Sequence, residues 1–293
     1  MKPPPFDYLD PPDLEGVLAA LHTHGDDAAV IGGGQSLVPL LNLRLARPEV
    51  VIVPRRVAGL DSVVVTDQRI EVGARVTATD LLDRANVARA VPGLREAIHD
   101  IGHVQIRNRT TIGGTIAHAD PAAELPAVLL GLDGSVVLQA TSGARVVAAG
   151  DFFLGPFSTA RRPDELVTGV RFEVPAGRTG WLEQARRPGD FALVGVFAAL
   201  ALSDDGQVSS VAIALSGVGG RPVRAAGAEA QLLGRAPTAE TVAEAAEIVR
   251  REVRPTDDVH ATAAHRTALA GVLTRRLLTR LAGPLTGRPR PPT

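Results

Sequence analysis

The chain has 293 residues, of which 45% are hydrophobic and 22% charged, and a formal net charge of -1, so it is long enough to bury two or three packed units and carries no basic footprint for nucleic acid. Its apolar runs, residues 191–202 for example, are too short to span a bilayer, and the start Met1-Lys2-Pro3-Pro4-Pro5 does not read as a signal peptide, which leads us to expect a cytoplasmic protein without membrane insertion. The absence of cysteine excludes disulfides, thiolate catalysis, cysteine-ligated zinc and iron–sulfur clusters on this chain; if electrons pass through it, another subunit carries the clusters.

After Pro11-Pro12, the spacing of Leu14, Val17, Leu18 and Leu21 predicts an amphipathic helix. Residues 28–31 read as a short buried strand that runs directly into Gly32-Gly33-Gly34-Gln35-Ser36. Ser36 is expected to cap a helix carrying Leu37, Leu40, Leu41 and Leu45, and residues 50–53 form a second buried strand, which closes a βαβ-like lobe near Pro54. From about residue 60 the pattern turns to alternating strands at 69–76, 135–140 and 166–174, an α+β region with an antiparallel sheet.

That region contains a second glycine run, Thr111-Ile112-Gly113-Gly114-Thr115, followed by a helix at 121–132 with Pro121 and Glu124 in its first turn. Residues 191–203, a turn at Asp204-Asp205-Gly206 and residues 208–215 form a hairpin. Two or three alanine-rich helices fill 224–282, and 283–293 are expected to fray. There is no internal repeat.

Glycine lacks a Cβ, so its backbone can take positive φ and bring N–H groups against phosphate oxygens. The first run does not fit the single-loop dinucleotide fingerprint, because Leu37 stands where the third glycine belongs and no acidic residue ends the next strand. It lacks the glycine and lysine of a triphosphate loop, where Leu37 and Val38 stand, and Val38 replaces the closing glycine of a serine-hydrolase elbow. What survives is either an anion nest at 32–36, with Ser36 adding a hydroxyl, or a plain strand-to-helix turn. The second run repeats the chemistry, with Thr110, Thr111 and Thr115 around Gly113-Gly114, so two nests on two lobes would clamp a diphosphate. Beyond it, Glu124 in His118-Ala119-Asp120-Pro121-Ala122-Ala123-Glu124 either accepts from ribose hydroxyls or pairs its charge with a helix dipole.

His99 and His103 have i, i+4 spacing but no third ligand, so no metal site is expected, and His22 and His24 read as surface residues. Arg107 and Arg109 beside the second run either offset phosphate charge or decorate an exposed strand, and Arg186 and Arg187 have the same two readings.

Three segments carry a family resemblance: Ile31-Gly32-Gly33-Gly34-Gln35-Ser36-Leu37-Val38-Pro39 with the trailing Asn42-Leu43-Arg44-Leu45-Ala46; Ile106-Arg107-Asn108-Arg109-Thr110-Thr111-Ile112-Gly113-Gly114 with residues 120–126; and Arg186-Arg187-Pro188-Gly189-Asp190-Phe191-Ala192. In these the chain resembles the medium, FAD-binding subunits of molybdenum hydroxylases, similar to the flavoprotein subunit of aerobic carbon monoxide dehydrogenase and the flavin part of xanthine dehydrogenase.

The resemblance implies an α+β fold: a two-lobed FAD-binding domain of the PCMH or vanillyl-alcohol-oxidase type over 1–177, with lobe one at 1–56 and lobe two at 57–177, then a C-terminal domain at 178–284 with a three-stranded antiparallel sheet and helical bundle, and a flexible tail at 285–293. It implies FAD with its diphosphate held by Val30, Ile31, Gly32, Gly33, Gly34, Gln35, Ser36 and Leu37 on one side and Thr110, Thr111, Gly113, Gly114 and Thr115 on the other. Ile101 would lie near the adenine, His118 near a phosphate with Asp120 close by, Glu124 on the adenosine ribose, and Leu166 and Phe191 near the flavin ring. No catalytic residue and no metal ligand are implied. Thr115 stands where asparagine or serine is frequent, and Glu183 where many relatives place a lysine near the flavin; an acidic group there would disfavour anionic reduced flavin.

The implied role is an electron-transfer subunit of a hetero-oligomer, passing electrons from a partner's clusters through FAD to an external acceptor. An iron–sulfur small subunit and a large subunit with the molybdenum cofactor are the implied partners, which fits the missing cysteines. A free-standing FAD oxidoreductase and a non-redox nucleotide-binding module are the alternatives.

Overall fold

A computed structural model describes residues 2–283; the expected frayed tail lies, apart from Gly283, outside the described residues. Lobe one is a three-stranded parallel sheet in the order β1 (Asp7–Leu9), β3 (Val50–Ile52), β2 (Ala28–Val30), with α1 (Leu14–His24) against it and α2 (Leu37–Asn42) following β2. The central strand Val50-Val51-Ile52 is buried on both faces, as its unbroken apolar run requires. Helix α1 starts where the Asp13 carboxylate accepts from the Gly16 N–H at 2.9 Å, and it buries Val17, Leu18 and Leu21. Strand β1 has no counterpart in the sequence reading, since Asp7 and Tyr8 are exposed and give no apolar run. Ser36 does not cap α2: it sits at the N-cap position with helical backbone angles and makes no capping hydrogen bond. Leu45 lies beyond that helix and is exposed.

Lobe two is an antiparallel sheet in the order β4 (Val63–Val65), β5 (Arg69–Gly73), β10 (Leu166–Glu173), β6 (Ser135–Ala140), β7 (Gly143–Ala148). The edge strands β4 and β7 escaped the sequence reading because they lack a buried face, β7 being mostly exposed. Between β5 and β6 run α3 (Ala78–Leu82), α4 (Ala85–Ala90), α5 (Pro92–Asp100), α6 (Val104–Arg107), α7 (Ile112–His118) and α8 (Glu124–Gly131); α9 (Ala149–Phe152) and the small hairpin β8 (Phe153–Gly155), β9 (Ser158–Thr159) complete the lobe.

The second glycine run is therefore the first turn of a helix rather than a loop. Thr111 caps α7, its hydroxyl accepting from the Gly114 N–H at 3.2 Å. Gly113 has no room for a side chain, since a Cβ there would fall 2.4 Å from the Ala74 Cβ. Helix α8 begins at Glu124 and not at Pro121; Pro121 to Ala123 form a turn in which the Asp120 carboxylate accepts from the Ala122 N–H at 2.9 Å.

The C-terminal domain is an antiparallel sheet, β11 (Arg178–Ala185), β12 (Ala192–Leu202), β13 (Val208–Ser216) and β14 (Val223–Arg224), covered by α10 (Ala226–Leu232), α11 (Ala239–Glu252) and α12 (Ala263–Ala282). It has four strands where three were expected; β14 is a two-residue edge paired with Ala214 and Leu215, too short to leave a pattern. Strand β12 is buried along all but its last residue because both faces are covered: Val194, Val196, Ala198 and Leu200 pack on the helices, while Phe197 and Ala199 join the core of lobe two. Glu96 of α5 stitches the same boundary, accepting from the Trp181 N–H and from Arg280, each at 2.7 Å.

Lobes one and two meet through the two glycine-bearing segments. A Cβ on Gly32 would lie 2.5 Å from the Thr111 hydroxyl, and one on Gly33 only 1.7 Å from the Arg109 carbonyl oxygen. Of the five glycines, Gly34 alone has positive φ, +76°. Gly33→Ala is accordingly expected to destabilise the protein by about 1–3 kcal/mol, the range for forcing atoms into packed space; chemical denaturation of variant and parent checks this, and equal midpoints would show that the loops separate freely.

A second prediction concerns Glu183 on β11, whose Oε2 is buried without a hydrogen-bond partner among the described residues. Burial first, then the charges of Glu124 and Asp100, push its carboxyl up to about 8, against about 4.3 for an unfolded glutamate. The folded state binds the extra proton, so this contribution to stability is complete below about 4.3 and is lost as pH rises toward about 8. Glu183→Gln should match the parent in thermal melts near pH 4 and exceed it near pH 8; parallel pH profiles would contradict the assignment.

Candidate functional site

A cavity of about 550 Å³ lies between lobes one and two and reaches residues 189–191 of the C-terminal domain. Lobe one contributes Val30, Gly32, Gly33, Gly34, Gln35, Ser36 and Leu37; lobe two contributes Ile101, Thr110, Thr111, Gly113, Gly114, Thr115, His118, Asp120, Glu124 and Leu166; Phe191 comes from the connection into β12. Of the residues that the resemblance assigns to the cofactor, Ile31 is the one outside the lining. Its N–H completes the sheet by donating to the Ile52 carbonyl at 3.0 Å, and its side chain is packed where a Cβ on Gly34 would meet it at 3.3 Å.

The two glycine runs differ in what they offer. Among the described residues no hydrogen bond engages the backbone N–H groups of Gly32, Gly33, Gly34, Gln35 or Ser36, so one wall presents a row of free donors, the arrangement that receives phosphate oxygens. The expected second nest is not formed. The N–H groups of Ile112 and Gly113 donate to Val76 and Ala74 carbonyls at 2.9 and 3.0 Å, Gly114 donates to the Thr111 hydroxyl, and Thr115 donates to the Thr111 carbonyl at 3.0 Å. This wall offers a glycine-flat surface with threonine hydroxyls around it.

Glu124 is 5% exposed, at the start of α8, and lines the cavity. Burial, opposed by its own backbone N–H and helped by the charges of Asp100 and Asp120, raises its carboxyl to about 8. A carboxyl pushed up in this way holds its proton more readily than a free glutamate and can then donate as well as accept. Glu183 does not line the cavity, and burial pushes its carboxyl, too, up to about 8.

The two ends of the cavity are unlike. At one, Leu166 packs with Leu21 and Leu60 in the core of lobe one, and Ala28 and Pro54 line the wall. At the other, the 101–103 turn meets the 189–191 segment: a Cβ on Gly189 would fall 2.2 Å from the His103 ring, and Phe191 stands at the mouth, 65% exposed. Phe191 lies just before β12 and is not a buried strand residue. Ile101 thus lies in the turn that meets the Phe191 segment, whereas Leu166 belongs to the part of the lining packed on lobe one.

Arg107 lies outside the cavity lining and on a helix rather than a strand. It ends α6 and spends its Nη1 on the carbonyls of His99, Ile101 and Gly102 at 3.0, 3.0 and 2.9 Å, shaping the turn that lines the cavity. Arg109 turns its Nε to the Gly33 carbonyl at 3.3 Å. His99 ends α5 and His103 precedes α6, so the two do not share a helix, and no group of three metal-binding side chains occurs among the described residues. His22, Arg186 and Arg187 are exposed and outside the lining, as is the half-buried His24. The sequence reading missed Arg75, Arg161 and Glu165, polar lining residues that stand in no glycine motif. The short interval Arg161 to Glu165 just before a strand was the one available signal.

Comparison with known proteins agrees across both domains. Residues 4–176 match the FAD binding domain in molybdopterin dehydrogenase, and residues 182–281 match the CO dehydrogenase flavoprotein C-terminal domain. The chain is 37% identical to the 6-hydroxypseudooxynicotine dehydrogenase complex subunit alpha of Paenarthrobacter nicotinovorans over 95% of each chain. It is 35% identical to the carbon monoxide dehydrogenase medium chain of Hydrogenophaga pseudoflava, over 95% of this chain and 97% of that one. Quinoline 2-oxidoreductase from Pseudomonas putida 86 superposes with a TM-score of 0.92 at 35% identity, over 96% of this chain and 98% of the other. With both domains matched in order and along nearly the whole length, the protein belongs to the FAD-binding medium-subunit flavoproteins of the molybdenum hydroxylase family of oxidoreductases.

Proposed function

We propose that this chain is the electron-transfer flavoprotein of a three-part hydroxylase complex, receiving electrons from iron–sulfur clusters on a small subunit and passing them to an external acceptor, with substrate oxidised on a large subunit that holds a molybdenum cofactor. The observation that carries the reading is the row of free N–H donors at 32–36 facing an interlobe cavity on a chain without cysteine. Relatives named as a medium chain and as subunit alpha of a dehydrogenase complex support the division of labour.

Bound FAD supplies the redox chemistry, linking partners that exchange one or two electrons. The chain's own residues bind and orient it. Gly32, Gly33 and Gly34 offer their N–H groups to the diphosphate, with Gln35 and Ser36 extending the row; Thr110, Thr111, Thr115 and His118 supply hydroxyls and an imidazole around the same segment. The free donors favour the doubly charged group without any buried cation at the loop.

The orientation we propose reverses part of the sequence expectation. Ile101, Glu124 and Phe191 take the flavin half, because theirs is the open end, where electrons can leave for a partner, and Phe191 is an aromatic placed to cover a ring. Leu166 and Val30 take the adenosine half at the enclosed lobe-one end. Glu124, protonated, then meets polar atoms of the flavin half as a donor rather than the adenosine ribose as an acceptor.

Gly33→Val and Gly114→Val are expected to release FAD, the first by driving the loops apart and the second by placing a side chain 2.6 Å from the capping Thr111 hydroxyl. The bound-flavin absorbance of the purified variants is the readout, and full occupancy in both would reduce the loops to mere turns. Co-expression with the neighbouring genes is expected to bring down a cysteine-rich small subunit and a molybdenum-containing large one. Recovery as a monomer that turns over its own substrate would overturn the electron-transfer assignment.

A further inference from the structure

Resting on the FAD reading, we propose that Arg161 is the purine-facing residue of the cavity and makes the site select FAD over FMN. Arg161 lines the enclosed lobe-one end, half-buried. Its nearest acid is not available to it. Glu165, 3% exposed and in the same wall, is held by Arg145 through two bonds, Nε to Oε1 at 2.5 Å and Nη2 to Oε2 at 2.8 Å, and accepts from the Arg162 N–H at 2.7 Å. Among the described residues Arg161 forms no ion pair, although Asp26 and Asp164 are near enough to act on its charge.

One edge of the guanidinium is fixed: Nη1 donates to the carbonyls of Arg162, Pro163 and Glu165 at 2.8, 3.3 and 2.9 Å. Its Nε and Nη2 have no partner among the described residues. Burial acts to lower the pKa of this side chain, opposed by the charges of Glu165, Asp26 and Asp164, none of which pairs with it directly among the described residues. A guanidinium plane held along one edge, in a lining shared with Leu21 and Leu166, is built to stack on a flat, electron-rich heteroaromatic and to donate to its ring nitrogens. With the diphosphate donors at 32–36 between the two ends and the flavin half at the open end, the heteroaromatic at Arg161 is the purine.

The test is the dissociation constant of FAD, FMN and ADP for the full-length apo-protein and for Arg161→Leu, together with the midpoint potential of bound FAD. Arg161→Leu should weaken FAD and ADP by about tenfold, the scale of a partly desolvated cation–π contact, and leave FMN affinity and the potential unchanged. Arg161→Lys keeps the charge and a donor for the 162–165 carbonyls but loses the plane, so it should lose part of the same selectivity; it decides the matter if the leucine variant does not fold. An equal loss for FAD and FMN, or a shifted potential, would place Arg161 on the flavin half and overturn the proposal, as would unchanged affinities in both variants. Parent protein that binds neither FAD nor ADP would instead overturn the flavin reading on which the proposal rests.

Discussion

The close approach of Gly32 and Gly33 to the Arg109–Thr111 segment is the constraint on which the rest of the site depends. With 1.7 Å between a hypothetical Gly33 Cβ and the Arg109 carbonyl, the lobes can meet only backbone to backbone. That contact brings the two walls together and leaves the donors at 32–36, on residues that line the cavity, unused by either lobe among the described residues. Glycine therefore serves two ends here: steric at 32 and 33, conformational at 34, where φ is positive.

The cavity keeps its own charge small. Burial pushes the Glu124 carboxyl up to about 8. Glu165 stays ionised against burial because Arg145 and the Arg162 N–H hold it below the usual carboxylate range. A negatively charged dinucleotide thus meets peptide dipoles and the guanidinium groups of Arg75 and Arg161, neither in a direct ion pair among the described residues. The same economy suits an electron carrier, whose protein supplies orientation and electrostatics while the cofactor supplies reactivity.

The long periodic elements were legible before the structure: α1, the strands of the lobe-two sheet that carry a buried face, the β12–β13 hairpin and the C-terminal helices each bury a stripe or a run that the residues announce. Strands β1, β4 and β14 were not, because two or three residues on an edge carry no period. The lining was legible wherever a glycine motif supplied it. Arg161 and Glu165 were not, since they stand in no motif and Glu165 is fixed by Arg145, twenty residues away on β7.

The residue types along the chain determined by themselves that clusters would be absent, since cysteine is absent, and that two glycine-bearing segments would lie where side chains are not tolerated. Only the tertiary structure decided what each segment does. Hydrogen bonds to Ala74, Val76 and Thr111 consume the N–H groups of the second run, while the first run, with no such neighbours, keeps its donors free. It also decided which residues share an end of the cavity, because the Gly189–His103 contact and the Leu166–Leu21 cluster join segments that local sequence cannot bring together. Motifs are local and sterics can be read from them; the satisfaction of a donor depends on what folds against it.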